Sequence, residues 1–467
     1  MAKIKKAWFC TACGNESPKW MGKCPACGEW NSMVEEIVNK SPDNSSLTSR
    51  AQSFLQSAGN AKPQPLPQIE SGQESRIILG ADGDNLSGRE NELDRVLGGG
   101  MVKGSLVLIG GEPGIGKSTL SLQIPLMNNS LRTLYVSGEE SAKQIKMRAE
   151  RLGGVHENCL VLSETLLENI LNEARNTQPQ LLIIDSIQTI YSQNIESSAG
   201  SVSQVRECAA SLLRYAKETG TPVILIGHIT KDGTIAGPKV LEHIVDVVLQ
   251  FEGDTRHAYR ILRSIKNRFG STAELAVYQM CSDGLKEVLN PSEMFIPMHG
   301  ENLSGIAVAA MLDGSRPFLI EVQALVSTAA YGTPQRSATG FDVRRMNMLL
   351  AVLEKRVGFK LSQKDVFLNI AGGLKVTDPA CDMAIVAAIL SSNFDENVPA
   401  GYAFAGEIGL SGEIRPVSQI EKRIAEAAKL GMEKIFVSAF NKPQGKPYKG
   451  LQVVPVATVA ELVKQIF

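Results

Sequence analysis

The sequence predicts an α/β protein in three parts, and three observations support this fold class. Two Cys-x-x-Cys pairs lie close together near the N-terminus. A glycine-rich turn at residues 111–118 joins a short apolar run to a helical pattern, and further apolar runs alternate with helical patterns to about residue 285. Such alternation is typical of a parallel sheet with crossover helices. The remaining residues, 286–467, show a second mixture of apolar strands and amphipathic helices.

Composition limits the classes of protein to which the chain can belong. A length of 467 residues predicts about three domains. The 48 Lys and Arg residues nearly balance the 49 Asp and Glu residues, so any contact with nucleic acid must come from local basic patches. No apolar run approaches the roughly 20 residues of a membrane span, and the N-terminus lacks the apolar core of a secretion signal. We therefore expect a cytoplasmic protein without a membrane partner, in which clustered cysteines bind metal.

The first predicted part, residues 1–35, carries the four clustered cysteines. They are Cys10, Cys13, Cys24 and Cys27. Each pair is followed by a glycine, which permits the tight turn that points backbone N–H groups at the thiolate sulfurs. Two such pairs predict a tetrahedral zinc site in a short ribbon, and a segment this short needs the metal for its folding free energy. A redox dithiol is the alternative.

Aromatic and basic residues alternate around the second cysteine pair. Trp20 and Trp30, with Lys19 and Lys23 nearby, either stack on nucleic-acid bases or pack within the ribbon. We favour packing for the tryptophans, and the role of the lysines stays open. In residues 36–75, Ser, Asn, Gln, Pro and Gly dominate without an apolar period, which predicts a flexible linker.

The glycine-rich turn has the spacing Gly-x-x-x-x-Gly-Lys-Ser of a phosphate-binding loop. Glycines permit backbone angles at which successive N–H groups point at one anion, and the following helix adds its positive N-terminal end. Lys117 would contact the terminal phosphates of ATP, and Ser118 would bind Mg²⁺. The alternative is a glycine-rich turn with an unrelated lysine. The predicted nucleotide-binding residues are Gly111, Glu112, Pro113, Gly114, Ile115, Gly116, Lys117, Ser118 and Thr119.

Polar residues at the ends of three apolar runs complete this predicted site. Asp185 ends one run, and a carboxylate at the end of a parallel strand can hold Mg²⁺ through water. Glu139 and Glu140 follow the preceding run, and a carboxylate there can orient and deprotonate the attacking water. His228 ends the run after Asp185 and is either a sensor of the γ-phosphate or a structural histidine.

The predicted strands of the second part, residues 76–285, fall into two groups. Those of the parallel sheet are 106–109, 133–136, 181–184 and 223–226. Three later runs, 245–251, 259–265 and 274–280, predict an antiparallel extension of that sheet.

Four stretches of this second part resemble a known family. They are Leu-Asp-Arg-Val-Leu-Gly-Gly-Gly at 93–100, the phosphate-binding loop, Tyr-Val-Ser-Gly-Glu-Glu-Ser at 135–141 and Lys-Asn-Arg-Phe-Gly at 266–270. Together with the cysteines and the C-terminal part, they resemble the bacterial RadA (Sms) DNA repair family over essentially the whole chain. The resemblance implies a RecA-like, DNA-dependent ATPase that uses ATP, Mg²⁺ and Zn²⁺. It also implies a motor that drives branch migration on single-stranded DNA, with Glu139 rather than Glu140 as the base.

The resemblance also implies partners, namely single-stranded and branched DNA, a RecA-type recombinase, and further copies of the chain in a hexameric ring. In ring ATPases the nucleotide lies between subunits, and a cation of the neighbour stabilises charge on the γ-phosphate. Lys266 and Arg268 suit that role, but they equally suit contact with DNA phosphates or a solvated basic turn. The loops 191–204 and 231–239 would line the ring channel as flexible segments that order on DNA.

The third part contains Gly-Glu-Ile-Gly-Leu-Ser-Gly-Glu-Ile-Arg-Pro at 406–416, which resembles the proteolytic domain of Lon proteases. Those enzymes use a serine and a lysine, and the corresponding positions here are Ala380 and near Glu421. Cys381 and Lys422 are each one position away, which is about 100° around a helix. We therefore predict a proteolytically inactive scaffold for ring assembly.

Basic residues of this third part either contact duplex DNA or form a solvated face. They are Arg344, Arg345, Lys355, Arg356 and Lys360. Three functions stay open for the whole chain: a translocating DNA-dependent ATPase, an ATP-dependent protease, and a RecA-like ATP switch that assembles without translocating. We favour the first, because the mismatches at the Lon positions count against the second.

Overall fold

The structure is a computed structural model that describes ten stretches of the chain. They are residues 5–11, 15–38, 76–80, 91–228, 238–253, 259–296, 303–329, 333–373, 375–443 and 448–467. Cys13, the predicted linker from residue 39 onward, and most of the loop 231–239 therefore lie outside the described residues. The chain divides into two compact units, Met1–Glu287 and Val288–Phe467.

The N-terminal unit begins with a three-stranded antiparallel sheet. Its strands are β1 (Lys5–Cys10), β2 (Glu16–Ser17) and β3 (Met33–Val38), with β1 in the middle. Strand β3 extends past residue 35 into the stretch predicted to be linker. Ala7 and Phe9 of β1 are buried in one apolar cluster with strands of the following core, so the ribbon packs on that core.

A nine-stranded sheet forms the core of this unit, after a short pair made of β4 (Arg76–Ile77) and β5 (Met101–Val102). Its strands are β6 (Leu106–Gly111), β7 (Thr133–Ser137), β8 (Cys159–Ser163), β9 (Leu181–Asp185), β10 (Val223–His228), β11 (Val247–Glu252), β12 (Tyr259–Asn267), β13 (Leu275–Cys281) and β14 (Gly284–Glu287). Their order across the sheet is β14-β13-β12-β11-β6-β10-β9-β7-β8. The helices are α1 (Glu92–Leu97), α2 (Lys117–Met127), α3 (Ala142–Arg151), α4 (Leu167–Thr177), α5 (Val202–Thr219) and α6 (Pro238–Leu241).

Helices cover both faces of this sheet, which explains why its central strands are apolar without interruption. Leu106 and Leu108 of β6 lie in one buried cluster with residues of α5. Val107 and Ile109 lie in a second cluster with residues of α2 and α3. Successive side chains of a strand point to opposite faces, so a strand buried on both faces needs apolar residues at every position.

The predicted antiparallel extension is partly wrong. Strand β11 pairs in parallel with β6, with Val247 opposite Val107, and only β12, β13 and β14 are antiparallel. The connection from β10 to β11 includes the short helix α6. The sequence analysis also missed β8, a short, half-exposed strand at the edge of the sheet.

The C-terminal unit contains a seven-stranded mixed sheet. Its elements, in chain order, are α7 (Pro291–Phe295), β15 (Ile306–Asp313), β16 (Arg316–Thr328), β17 (Arg336–Thr339), α8 (Val343–Val352), β18 (Lys364–Ile370), α9 (Asp382–Phe394), β19 (Tyr402–Ala405), β20 (Glu407–Ile408), β21 (Ile414–Arg415), α10 (Ile420–Lys429), β22 (Lys434–Ser438), β23 (Gln452–Val456) and α11 (Val459–Ile466). The sheet order is β17-β18-β16-β15-β19-β22-β23, and β20 and β21 form a separate pair. Across both units, the described helices include none with the length and apolarity that a membrane span requires.

The positions that correspond to the Lon dyad hold no reactive pair. Ala380 is fully buried in the 3-10 turn Pro379–Cys381, just before α9. Cys381 is also buried, and burial raises the pKa of its thiol well above the usual range. Lys422 lies on the surface, where its Nζ donates to Ser315 O at 3.2 Å. These side chains therefore do not form a nucleophile with its base.

Two ion pairs with buried members occupy this region instead. Arg423 is 1% exposed and donates to Asp378 Oδ2 at 2.6 Å and to Ala310 O at 2.7 Å. Arg345 binds the fully buried Asp382 through two bonds, Nε to Oδ1 at 2.8 Å and Nη2 to Oδ2 at 2.5 Å. The sequence left two roles open for Arg345, contact with duplex DNA or a solvated face, and the structure instead pairs its guanidinium with Asp382.

We expect Arg423→Ala to destabilise the C-terminal unit by about 3 to 5 kcal/mol, because it leaves the Asp378 carboxylate without its buried cation. Thermal unfolding of the full chain, followed through the transition of this unit, measures the loss. Lys422→Ala is the matched control, since it removes a neighbouring cation from the surface of the same helix. Equal midpoints for the two variants would contradict a stabilising role for the buried pair.

Candidate active site

The phosphate-binding loop connects β6 to α2 in the conformation that its glycines permit. Gly114 and Gly116 have φ angles of 74° and 117°, values that residues with a Cβ rarely adopt. Helix α2 begins at Lys117, and no side chain caps its N-terminus in the described structure. The backbone N–H groups at this helix end are therefore available to an anion such as the triphosphate of ATP.

Lys117 lies across this loop. Its side chain is buried, and Nζ donates to Gly111 O and to Glu112 O, each at 2.9 Å. Burial lowers the pKa of Lys117 to about 8, and the charges of Asp185 and Glu139 oppose part of that shift. The ammonium is thus held in place before any phosphate binds, in surroundings that favour a further negative charge.

Asp185 lies at the end of β9, and its carboxylate is oriented by a tyrosine that the sequence analysis did not identify. Tyr135 OH donates to Asp185 Oδ2 at 2.6 Å. Tyr135 is 1% exposed, and burial followed by the charge of Asp185 raises the pKa of its hydroxyl well above the usual range. The only sequence signal is a tyrosine in the middle of a fully buried strand, where a hydroxyl needs a partner.

Of the two adjacent glutamates, Glu139 is better placed to orient a water molecule. Ser186 Oγ donates to Glu139 Oε1 at 2.7 Å, and His228 Nε2 lies 3.6 Å from the same oxygen. The Glu139 side chain is half exposed, whereas Glu140 forms an ion pair with Arg148. Burial, and then the charge of Lys117, lower the pKa of His228, so the ring is neutral at pH 7.

The site fits a magnesium ion and a triphosphate at the level of donor chemistry. Asp185 Oδ2 is bound to Tyr135, which leaves Oδ1 without a protein partner among the described residues and open to a metal-bound water. Ser118 lies in the first turn of α2, beside the buried ammonium of Lys117. Hard oxygen donors suit a magnesium ion, and a lysine ammonium suits the phosphates of the nucleotide.

Lys266 and Arg268 lie at the opposite edge of the sheet from this loop. Asn267, between them, pairs with Val247, and Val247 pairs with Val107 near the start of β6. About 13 Å of strand separates Val107 from the loop end of β6. The two cations therefore do not reach a phosphate that is bound to the loop of their own chain.

The two cations differ in how they are held. Lys266 Nζ donates to Glu242 O at 2.5 Å and to Val245 O at 2.8 Å. Arg268 Nη1 donates to Asp246 Oδ1 at 3.1 Å, and its side chain remains 54% exposed. Arg268 is thus the more available of the two to a group outside this chain.

The cysteines of the ribbon form the second site. Sulfurs of Cys10, Cys24 and Cys27 all lie within 4.8 Å of one another, and Cys10 Sγ is 3.6 Å from Cys27 Sγ. Sulfurs on a tetrahedral zinc ion are about 3.8 Å apart, which follows from a Zn–S bond of about 2.3 Å. Gly28, after the second pair, has a φ of 76°, as the tight turn requires. These three residues fit zinc, and Cys13, the fourth predicted ligand, lies outside the described residues.

Two expectations from the sequence are wrong. Trp20 and Trp30, predicted to pack within the ribbon, are 54% and 69% exposed, and Lys23 Nζ lies 5.4 Å from the Trp30 ring centre. The loop 191–204, predicted to be flexible, is a compact hydrogen-bonded loop. The buried side chain of Gln204 holds this loop together. Its Nε2 donates to the carbonyl oxygens of Ser192, Ile195 and Ser197 at 2.7 to 3.1 Å.

We expect nucleotide binding to weaken by about tenfold between pH 7 and pH 9, because only about a tenth of Lys117 is protonated one unit above its pKa. The pKa of about 8 in the free protein places this step above neutral pH. Equilibrium binding of a non-hydrolysable ATP analogue measures it at constant ionic strength. Lys117→Ala is the control: its weaker binding should show no such step, and a step of equal size in both proteins would refute the assignment.

We expect Cys24→Ser to lose its zinc, because a hydroxyl is a much poorer zinc ligand than a thiolate and Cys24 is buried among the ligands. Elemental analysis of the purified chain gives the metal content. Cys159→Ser is the matched control, since this half-buried thiol lies in β8 and outside the cluster. A full equivalent of zinc in the Cys24 variant would argue against the site.

Family models match three stretches of the chain. Residues 8–35 match a rubredoxin metal binding domain, residues 74–234 match an AAA domain, and residues 325–441 match subunit ChlI of Mg-chelatase. These matches agree with a zinc ribbon, an ATPase core and a C-terminal domain of the ChlI and Lon type.

Individual proteins match over the full length. The chain is 49% identical to the DNA repair protein RadA of Bacillus subtilis (strain 168), with 99% of each chain covered. It is 48% identical to the DNA repair protein RadA of Halalkalibacterium halodurans, again with 99% of each covered. A crystal structure of the RadB recombinase matches with a TM-score of 0.34 and 22% identity, over 42% of this chain and 97% of that one. Near-complete coverage at almost 50% identity shows that the chain belongs to the family of the DNA repair protein RadA.

Proposed function

We propose that this protein is a DNA-dependent ATPase of recombinational DNA repair that translocates on single-stranded DNA and promotes branch migration. One observation carries the proposal: in each chain, two sets of charged groups lie at opposite edges of one sheet. Lys117, Asp185 and Glu139 lie at one edge, and Lys266 and Arg268 lie at the other. Head-to-tail contact between copies would bring the two sets together, and such contacts form a ring when the rotation between copies closes.

The residues of the loop edge have distinct tasks in this proposal. Lys117 and the N–H groups of the loop bind the β- and γ-phosphates of ATP. Ser118, and Asp185 through water, would hold a magnesium ion, which would supply positive charge to the phosphates. Tyr135 keeps Asp185 oriented by donating to Oδ2.

Glu139 acts on the water. Its carboxylate orients a water molecule in line with the γ-phosphate and accepts a proton from it as the phosphorus–oxygen bond to ADP breaks. Ser186 holds one oxygen of this carboxylate, and the neutral ring of His228 lies beside the same oxygen. Arg268 of a neighbouring copy stabilises the charge on the transferred phosphoryl group, and Lys266 is the second candidate for that role.

The proposed activity implies three kinds of partner. We propose single-stranded and branched DNA as the polymer that is moved, a RecA-type recombinase as the source of the branched intermediate, and a hexameric ring as the working form. A cytoplasmic location follows from the DNA substrate. Support for the DNA partner comes from the relatives, which are DNA repair proteins over their full length.

We expect Glu139→Gln to lower kcat for ATP hydrolysis by about 10² to 10⁴ with little loss of ATP binding, because it removes the proton acceptor only. The measurements are ATPase rates with and without single-stranded DNA, beside a branch-migration assay. Glu140→Gln is the matched control and should retain most activity, since Glu140 is bound to Arg148.

The same pair of variants separates a motor from an ATP switch. A switch needs ATP bound but not hydrolysed, so Glu139→Gln would retain full activity on branched DNA, and this result would overturn the motor. Wild-type hydrolysis that does not respond to any polynucleotide would overturn the role of DNA.

A further inference from the structure

A buried carboxylate, Asp246, joins the Lys-Asn-Arg-Phe-Gly stretch at 266–270 to the strand that carries the phosphate-binding loop. Asp246 is 2% exposed and directly precedes β11. Its Oδ2 accepts from Leu106 N at 3.1 Å and from Lys217 Nζ at 3.0 Å. Its Oδ1 accepts from Arg268 Nη1 at 3.1 Å. The one carboxylate thus binds the first residue of β6, the last turn of α5 and the cation after β12.

Asp246 fixes both the backbone and the side chain of Arg268. Arg268 N donates to Asp246 O at 3.2 Å, while the guanidinium donates to the carboxylate of the same residue. The Arg268 side chain nevertheless remains 54% exposed, so one side of the guanidinium is held and the rest faces outward. This is the arrangement expected of a cation that is oriented toward a group outside its own chain.

Strand pairing alone does not account for an aspartate here. Burial of a carboxylate costs free energy unless cations and hydrogen bonds compensate for it. The backbone contact that Asp246 makes with Leu106 N would be made equally well by an uncharged asparagine. The negative charge itself acts on cations: it forms ion pairs with Lys217 and Arg268, and it also acts on Lys266 nearby.

Lys266 is held to the same short segment in a different way. Its ammonium donates to the carbonyls of Glu242 and Val245, which come just before Asp246 in the chain. The segment 242–246 is therefore bound by both cations of the motif. Of the two cations, only Arg268 is bound to a carboxylate and keeps an exposed side chain. The argument for contact with a group outside the chain therefore applies to Arg268.

We propose that Asp246 is a positioning residue that orients Arg268 toward the triphosphate bound to a neighbouring copy, so that it acts on the neighbour's hydrolysis. This inference rests on the proposed function, since it needs ATP sites that are shared between copies. The competing possibility is an effect on the chain's own site, because Asp246 also binds Leu106 at the start of the strand that leads to its own loop.

Kinetics of Asp246→Asn give the first test. We expect kcat in the presence of single-stranded DNA to fall by about tenfold or more, with KM for ATP changed less than about twofold, because the neighbour's cation acts on the transition state. In an Arg268→Ala background the same substitution should have no further effect. Lys217→Ala is the matched control, since it removes the other cation of Asp246 and leaves the Arg268 pair intact. An unchanged kcat in Asp246→Asn, or an equal further loss in the Arg268→Ala background, would overturn the inference.

Mixing two inactive variants distinguishes an effect on the neighbour from an effect on the chain's own site. Lys117→Ala removes the loop cation and leaves Asp246 and Arg268 intact, whereas Asp246→Asn leaves the loop intact. In mixed assemblies, about a quarter of the interfaces join an intact loop to an intact Arg268, because each half is present in half of the subunits. We therefore expect equimolar mixing to restore about a quarter of the wild-type rate. Activity that stays at the mean of the two parents would overturn the assignment of Asp246.

A second mixture keeps this failure separate from failure of the proposed function. Lys117→Ala mixed with Arg268→Ala tests the shared site itself, without Asp246. If ATPase activity recovers in this mixture but not in the mixture with Asp246→Asn, only the positioning role of Asp246 is refuted. If activity recovers in neither mixture, both the shared site and the inference are refuted. If the Asp246→Asn chain does not fold, Asp246→Glu replaces it: this variant keeps the charge but displaces the carboxylate by one methylene, and the same two outcomes apply.

Discussion

The buried ammonium of Lys117 is the interaction on which the active site depends. It lies at the positive end of α2 with its side chain almost fully removed from water, and both conditions disfavour a cation. Two loop carbonyls and the charges of Asp185 and Glu139 compensate for this only in part, because the pKa of Lys117 still falls to about 8. The site therefore lacks negative charge where a triphosphate would supply it. Binding of a polyanion completes the electrostatics of a loop that is already held in shape.

The sheet determines which residues meet around this ammonium and which do not. Asp185, Glu139 and His228 come from separate stretches of sequence, but each follows a parallel strand, and parallel strands end at one edge. Strand β12 runs in the opposite direction, so the cations after it emerge at the other edge. One reversal of chain direction thus separates the two sets of charged groups. An assembly in which the loop edge of one copy meets the motif edge of the next reunites them, which is the physical basis for a site shared between subunits.

Features that depend only on residues close together in the sequence were predictable, and arrangements that depend on tertiary contacts were not. The phosphate-binding loop and the cysteine pairs follow from turn geometry and ligand spacing, so their positions could be assigned before the fold was known. The direction of β11 could not, because an apolar run looks the same in either direction and the pairing with β6 is a contact between residues far apart in the chain. The buried role of Arg423 was equally hidden, since it depends on an aspartate 45 residues earlier in the chain. Tyr135 has the same explanation, because its partner lies on a different strand.

His228, the last residue of β10, lies beside Glu139. The ring is neutral at pH 7, so only one of its two nitrogens carries a proton. Nε2 faces Glu139 Oε1 at 3.6 Å, too far for a good hydrogen bond, and the buried Nδ1 has no partner in the described structure. A small movement of the strand end would shorten the contact with Glu139. The chain continues from His228 toward residues 231–239, the stretch that the sequence predicts to contact DNA. The neutral ring places no positive charge beside Glu139, so it does not oppose the role of proton acceptor proposed for that carboxylate.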